Sequence, residues 1–300
     1  MSRQKPVVLC ILDGWGHSER REDNAPLLAN TPNFDRISAE CPHNFLTTHG
    51  PDVGLPSGQM GNSEVGHTNI GAGRVVAMDL GQIDLAIEDQ SYFENERLKA
   101  FIAQLKQTGG TAHLVGLVSD GGVHGSLVHL IASVNAIAEA GVPVAIHAIA
   151  DGRDVAPKSA FGYFAALTEA LPANAKIVTV TGRYFALDRD NRWERVKEAY
   201  DAMVHGQSGY KAMDAHGAIS NAYNRSETDE FISATVLRGY EGMKDGDGVF
   251  CLNFRADRAR EISYTHLTLP TILRVLTPAV LVRSRLHSTT LPIHPLHLAH

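Results

Sequence analysis

Ser63 lies in Gly61-Asn62-Ser63-Glu64-Val65-Gly66-His67, inside the glycine-rich stretch from Gly54 to Arg74. Glycines let a backbone approach a ligand and adopt turns with positive φ. A hydroxyl held at the start of a helix sits beside unpaired N–H groups, an environment that favours phosphate. One reading makes Ser63 a nucleophile that takes up a phosphoryl group. The other makes it a serine that merely caps a helix. A second set of chemical residues falls further along: His124, Arg153, Asp154, Arg183, Arg189, Arg192, Arg255 and Arg258. Arginine suits carboxylate and phosphate because it offers two parallel hydrogen bonds. Singly, any of these arginines could be a surface ion pair of little energetic weight. As a set around one crevice, they point to a small ligand with two anionic groups.

Elements that would carry these residues can be read from the pattern. Val7–Leu12 is a continuous apolar run rich in β-branched residues, which predicts a strand buried on both faces, ending at Asp13. Asp13 is then either a ligand-site residue at a strand's carboxyl end or the start of an Asx-turn with Gly14. Thr31–Glu40 predicts a short helix with Thr31 as N-cap and Pro32 in its first turn. From about Met78 the chain alternates. Helices are expected at Asn95–Gln107, Leu127–Ala140, Lys158–Ala170 and Trp193–Val204. Strands are expected at Ala112–Val118, Pro143–Ile149, Lys176–Val180 and Gly248–Leu252. Such alternation implies a mostly parallel sheet covered by helices. Its four strands each run into a cluster of His, Asp or Arg beside Gly or Asn, so those clusters should gather on one carboxyl edge.

The 300 residues suggest about two domains, and a formal net charge of −6 supplies no basic field for nucleic acid. Cys10, Cys41 and Cys251 are too few and scattered for a disulfide framework or a Cys-type zinc site. Arg3 and Lys5 precede an apolar run too short for a signal peptide or a membrane span, so a cytoplasmic address is expected. Residues 263–300 break the pattern: they hold no Asp, Glu, Lys, Gly or Asn, but five histidines and four prolines. The prolines would interrupt a helix or a central strand. This tail reads as out-of-frame sequence and is expected to be poorly ordered, with a metal-binding His tract as the lesser reading.

Six motifs together resemble the cofactor-independent (2,3-bisphosphoglycerate-independent) phosphoglycerate mutase family. They are Leu12-Asp13-Gly14-Trp15-Gly16, the Ser63 segment, Ser119-Asp120-Gly121-Gly122-Val123-His124, Ala150-Asp151-Gly152-Arg153-Asp154, Gly182-Arg183-Tyr184 with Asp188-Arg189-Asp190, and Asn253-Phe254-Arg255-Ala256-Asp257-Arg258. The resemblance covers residues 1 to about 262. It implies an α/β fold: an alkaline-phosphatase-like domain, here only its N-terminal piece at 1–76, with an inserted α/β transferase domain of mostly parallel sheet at 77–262. It further implies interconversion of 2-phosphoglycerate and 3-phosphoglycerate in glycolysis and gluconeogenesis, with Ser63 as nucleophile. Two Mn²⁺ ions are implied, with Asp13 and Ser63 as ligands, and His124, Arg153, Asp154, Arg183, Arg189, Arg255 and Arg258 as the phosphoglycerate-binding residues. Family members are often monomeric, and no nucleic-acid or membrane partner is expected.

The family's later motifs, which supply most metal ligands, have no counterpart in residues 263–300. The expectation is therefore that this chain is inactive by itself and binds manganese poorly. The alternatives are a metal-dependent phosphatase or other phosphomutase of the same superfamily, or a non-catalytic phosphoglycerate-binding fragment.

Overall fold

The computed structural model describes residues 6–56, 58–188 and 190–254, and the backbone of 273–276. The chain divides into two compact units, Met1–Met78 and Asp79–His300.

The second unit is built on one seven-stranded sheet. Its strands are β1 (Ala112–Leu117), β2 (Val144–Ala150), β3 (Ala175–Gly182), β4 (Tyr210–Ala212), β5 (Thr235–Leu237), β6 (Gly248–Cys251) and β7 (Leu273–Leu276), in the order β4-β5-β3-β2-β1-β6-β7. All neighbours run parallel except β3 and β5. Every residue of β1 and β2 is buried, His113 and His147 included, as expected of strands covered by helices on both faces. The two-residue period of a strand separates those faces. Leu114 and Ile146 point into the larger core with Leu130, Val134, Ile137, Phe164, Leu167 and Phe250. Val115 and Ile149 point into a smaller core with Ala199 and Met203.

The expected helices are all present, with ends moved by one or two residues. Glu96–Thr108 starts where Asn95 caps the N–H of Arg97, and ends at Gly109 in the left-handed region. The others are Leu127–Glu139, Ala160–Ala170 and Trp193–His205. Asp79–Glu88, Ala215–Asn224 and the three-residue strands β4 and β5 add to the sequence reading. Residues 263–300 lie outside the described residues except for β7. That strand occupies the proline-free interval between Pro270 and Pro278 and pairs with β6 at the edge of the sheet, where the prolines, expected to interrupt a helix or a central strand, do not exclude it.

A polar chain crosses the smaller-core face of this sheet. Asp247, beside β6, contacts His113 Nε2 at 3.0 Å; His113 Nδ1 meets His147 Nε2 at 3.0 Å; and His147 Nδ1 meets the Thr179 hydroxyl at 3.0 Å. The two imidazoles stack and Tyr240 stands edge-on to His147. Burial, reinforced by His113, holds His147 well below the usual histidine range. A histidine whose native pKa is depressed stabilises the fold above its unfolded value of about 6.5, and that stability is lost as pH falls below it. Stability should drop by up to about 1.4 kcal/mol per pH unit between roughly pH 6.5 and 5. Chemical denaturation across that range checks this. His147→Gln should flatten the slope there, and an unchanged slope would remove His147 as its source.

The first unit contains helices Pro32–Glu40 and Ser63–Ala72 and the short turns Ala25–Leu28 and Pro51–Val53. Pro32–Glu40 begins as expected, but Thr31 makes no backbone cap; its hydroxyl meets the Asp35 carboxylate at 2.9 Å. The expected strand at Val7–Leu12 is not formed. Val7 and Val8 are 95% and 84% exposed, and Leu12 is 52% exposed. A strand buried on both faces needs neighbours at its edges, and the described residues of this unit contain no other strand.

Candidate active-site residues

Because β1, β2, β3 and β6 run the same way, their carboxyl ends share one edge. Ser119 and His124 follow β1, Asp151–Asp154 form the turn after β2, Arg183 follows β3, and Asn253 follows β6. Helix Arg183–Ala186 starts directly at the end of β3, so the strand direction aims the Arg183 side chain back over that edge. Its Nη1 lies 2.6 Å from Asp151 Oδ1 and 2.5 Å from Asp154 Oδ2. Asp151 also accepts the Ser119 hydroxyl at 2.6 Å and the N–H groups of Arg153 and Asp154 at 3.2 and 3.0 Å. His124 Nε2 stands 3.8 Å from Asp154 Oδ2. Asn253 joins the fourth strand: its side-chain oxygen accepts from Leu117 N–H at 3.2 Å, and the next residue's N–H bonds the His124 carbonyl.

Electrostatics follow from these contacts. Burial alone would raise the Asp151 carboxyl, but bonds from Ser119, the Asp154 N–H and Arg183 outweigh it and hold it below the usual carboxylate range. The same two aspartates outweigh burial at Arg183 and raise its guanidinium further. Beside the cluster, Tyr163 donates to Asp120 at 2.5 Å, and that bond pushes the phenol up to about 12.

Of the residues singled out in the sequence, His124, Asp154 and Arg183 come together. Arg153 departs from the same turn in the other direction: it is exposed, and its Nη1 pairs with Glu230 at 3.1 Å. Arg189, Arg255 and Arg258 lie outside the described residues. The exposed Arg192 has its N–H held by Asp188, which also holds the N–H of Asp190 and faces Arg195 at 3.6 Å. Sequence reasoning missed Ser119, Asp151 and Glu230 as site residues. The first two stood inside quoted motifs. Glu230 is carried by a 3-10 turn, Asp229–Phe231, within a polar stretch that has no periodicity to announce it.

In the first unit, Ser63 opens helix Ser63–Ala72, but the capping role belongs to Asn62, whose side chain accepts from Val65 N–H at 3.1 Å. That leaves the serine hydroxyl for another partner. It donates to Asp13 Oδ2 at 2.5 Å, with His67 Nδ1 at 3.2 Å. Gly61 brings the loop past Thr48 so closely that an added Cβ would lie 1.7 Å from the Thr48 carbonyl oxygen.

A hydroxyl against a carboxylate at a helix N-terminus is a fair start for a nucleophile, yet it is a thin donor set for metal. His67 Nδ1 is already engaged with the Ser63 carbonyl at 2.8 Å. Among the described residues, no group of three or more His, Cys, Asp or Glu is arranged to hold an ion. A two-metal centre needs several more carboxylates and imidazoles, so the residues present do not fit a manganese pair.

Comparison with known proteins agrees with the motifs. A family model described as the N-terminus of BPG-independent PGAM matches residues 83–275. The 2,3-bisphosphoglycerate-independent phosphoglycerate mutase of Ruegeria pomeroyi is 71% identical over 262 residues, which are 87% of this chain and 52% of that protein. Its counterpart from Roseobacter denitrificans is 69% identical over the same share. A Leishmania mexicana phosphoglycerate mutase, crystallised at low cobalt concentration, superposes with a TM-score of 0.71 at 29% identity, covering 83% of this chain and 50% of that one. The chain thus spans about half the length of the curated relatives it matches. It belongs to the BPG-independent phosphoglycerate mutase family.

Proposed function

We propose that this chain carries the serine nucleophile and the phosphoglycerate-holding residues of a mutase that interconverts 2-phosphoglycerate and 3-phosphoglycerate in the cytoplasm, in glycolysis and gluconeogenesis. The observation that carries the reading is the junction of the β2 and β3 ends at Asp151, Asp154 and Arg183, with His124 from the β1 end alongside and Arg153 turned outward. That edge offers an exposed guanidinium above a rigid polar floor, which suits the carboxylate or phosphate of a glycerate. Arg189, Arg255 and Arg258 would complete the grip. Ser63 would accept the phosphoryl group from one hydroxyl and return it to the other, and the Asp13 carboxylate orients the Ser63 hydroxyl through their hydrogen bond.

Activity needs more than this. The donors around Ser63 do not make a metal centre, so the chain by itself should bind ligand without turning it over. Helices long and apolar enough to cross a membrane are absent among the described residues. A small soluble metabolite is the partner proposed, with a monomeric protein.

Calorimetry with 3-phosphoglycerate, with and without Mn²⁺, tests the proposal alongside an assay for 2-phosphoglycerate. Saturable binding heat that is indifferent to metal, and no 2-phosphoglycerate above background, are the expected results. Absence of binding heat would sink the ligand assignment. Formation of 2-phosphoglycerate would sink the claim that this chain is not active alone.

A further inference from the structure

We infer that Asp151, itself only 2% exposed, is a positioning residue that sets the direction of its neighbouring charges at the anion edge. The inference rests on the reading of that edge as a phosphoglycerate site. Arg153 and Asp154 are adjacent in sequence and must face opposite ways: Arg153 outward and Asp154 inward to Arg183 and His124. Asp151 Oδ1 accepts both of their N–H groups, fixing the turn that makes this split. The same oxygen takes Arg183 Nη1, and Oδ2 takes the Ser119 hydroxyl. One carboxylate therefore ties the ends of β1, β2 and β3, and every donor it receives comes from a different residue. Buried beneath them, it need not touch a ligand to govern which charge the ligand meets.

Two substitutions separate its parts. Asp151→Asn keeps an oxygen for the two N–H groups and an amide that the Ser119 hydroxyl can accept from, but gives up the charge that balances Arg183. Asp151→Ala gives up both. Measured by calorimetry, 3-phosphoglycerate affinity should fall about 3-fold in Asp151→Asn and at least about 10-fold in Asp151→Ala. If Asp151 acts by aiming Arg153, the loss is not additive with that residue. Asp151→Asn combined with Arg153→Gln should bind within about 2-fold of Arg153→Gln alone.

Amide hydrogen exchange supplies a readout that needs no ligand. The Arg153 and Asp154 amides should exchange at least about 10-fold faster in Asp151→Ala while Leu114 and Val115 in β1 keep their protection. Should Asp151→Ala fail to fold, Asp151→Asn carries the test: its neutral oxygen holds the two N–H groups more weakly than a carboxylate does, so faster exchange, smaller than in Asp151→Ala, is expected at the same two amides. Unchanged exchange at those amides overturns the inference, as does full additivity with Arg153→Gln. If the unsubstituted chain shows no binding heat, the phosphoglycerate reading has failed, and the exchange result alone decides the role of Asp151.

Discussion

Replacing Arg183 by methionine should lower folding stability by about 3 kcal/mol or more, read as a shift of the urea midpoint. Methionine keeps much of the volume, so the loss is one of charge. The guanidinium is 3% exposed and sits between the side chains of Asp151, 1% exposed, and Asp154, 18% exposed. Without it, two carboxylates face each other at a largely dry strand junction. Removing one partner of a buried pair is costly because the other is left uncompensated. The pH dependence should change sign as well. In the unsubstituted chain Asp151 titrates below the usual carboxylate range, so its contribution is present above about pH 4 and lost on further acidification. In Arg183→Met the buried Asp151 carboxyl, left without its cation, should titrate higher than in the unsubstituted chain, so the deficit shrinks as pH falls toward 4. Asp151→Asn in the Arg183→Met background should recover part of the loss. A deficit under about 1 kcal/mol, or one indifferent to pH, would show that water reaches this cluster and screens it.

The alternation of helix and strand was legible because short runs that are apolar but for one residue, such as Val144–Ala150 with its single His147, permit little else between helical stretches. So was the gathering of charged residues on one edge, since parallel strands align their carboxyl ends. Partners along that edge were not legible. Arg183 reads in sequence as a ligand-gripping arginine, yet in the fold its Nη1 is taken by two aspartates. A pattern places a side chain on an edge without saying which of its neighbours it will meet. The strands β4 and β5 escaped for a different reason: three residues are too few for a period, and β5 runs against β3, as no alternation rule would suggest. Val7–Leu12 shows the opposite failure. Its composition is that of a buried strand, but burial is a property of neighbours, and in this unit the described residues offer no strand beside it.

Gly182→Ala should be more damaging than a single methyl ordinarily is. The segment Glu230–Ile232 passes directly over the end of β3, where the Gly182 N–H donates to the Ile232 carbonyl at 2.7 Å. A Cβ at Gly182 would stand 2.3 Å from the Glu230 carbonyl oxygen and 2.6 Å from the Ile232 nitrogen. Both are backbone atoms, so no rotamer change can relieve the contact; β3 and the crossing segment must separate. The cost should be about 3 kcal/mol, at the upper end for overpacking. The displacement reaches two site elements at once. Arg183 is the next residue along the chain, and Glu230 carries the carboxylate that pairs with Arg153. Where the variant remains folded, binding of 3-phosphoglycerate should weaken by about 10-fold or more, as misplacement of a positioned group does. Gly162→Ala is the control: the space around its added Cβ is open, and alanine in a helix is favoured over glycine by about 1 kcal/mol. It should leave binding unchanged and raise stability. Equal behaviour of the two variants would mean that the close crossing at Gly182 yields without cost, and that Gly182-Arg183-Tyr184 needs its glycine for some reason other than packing.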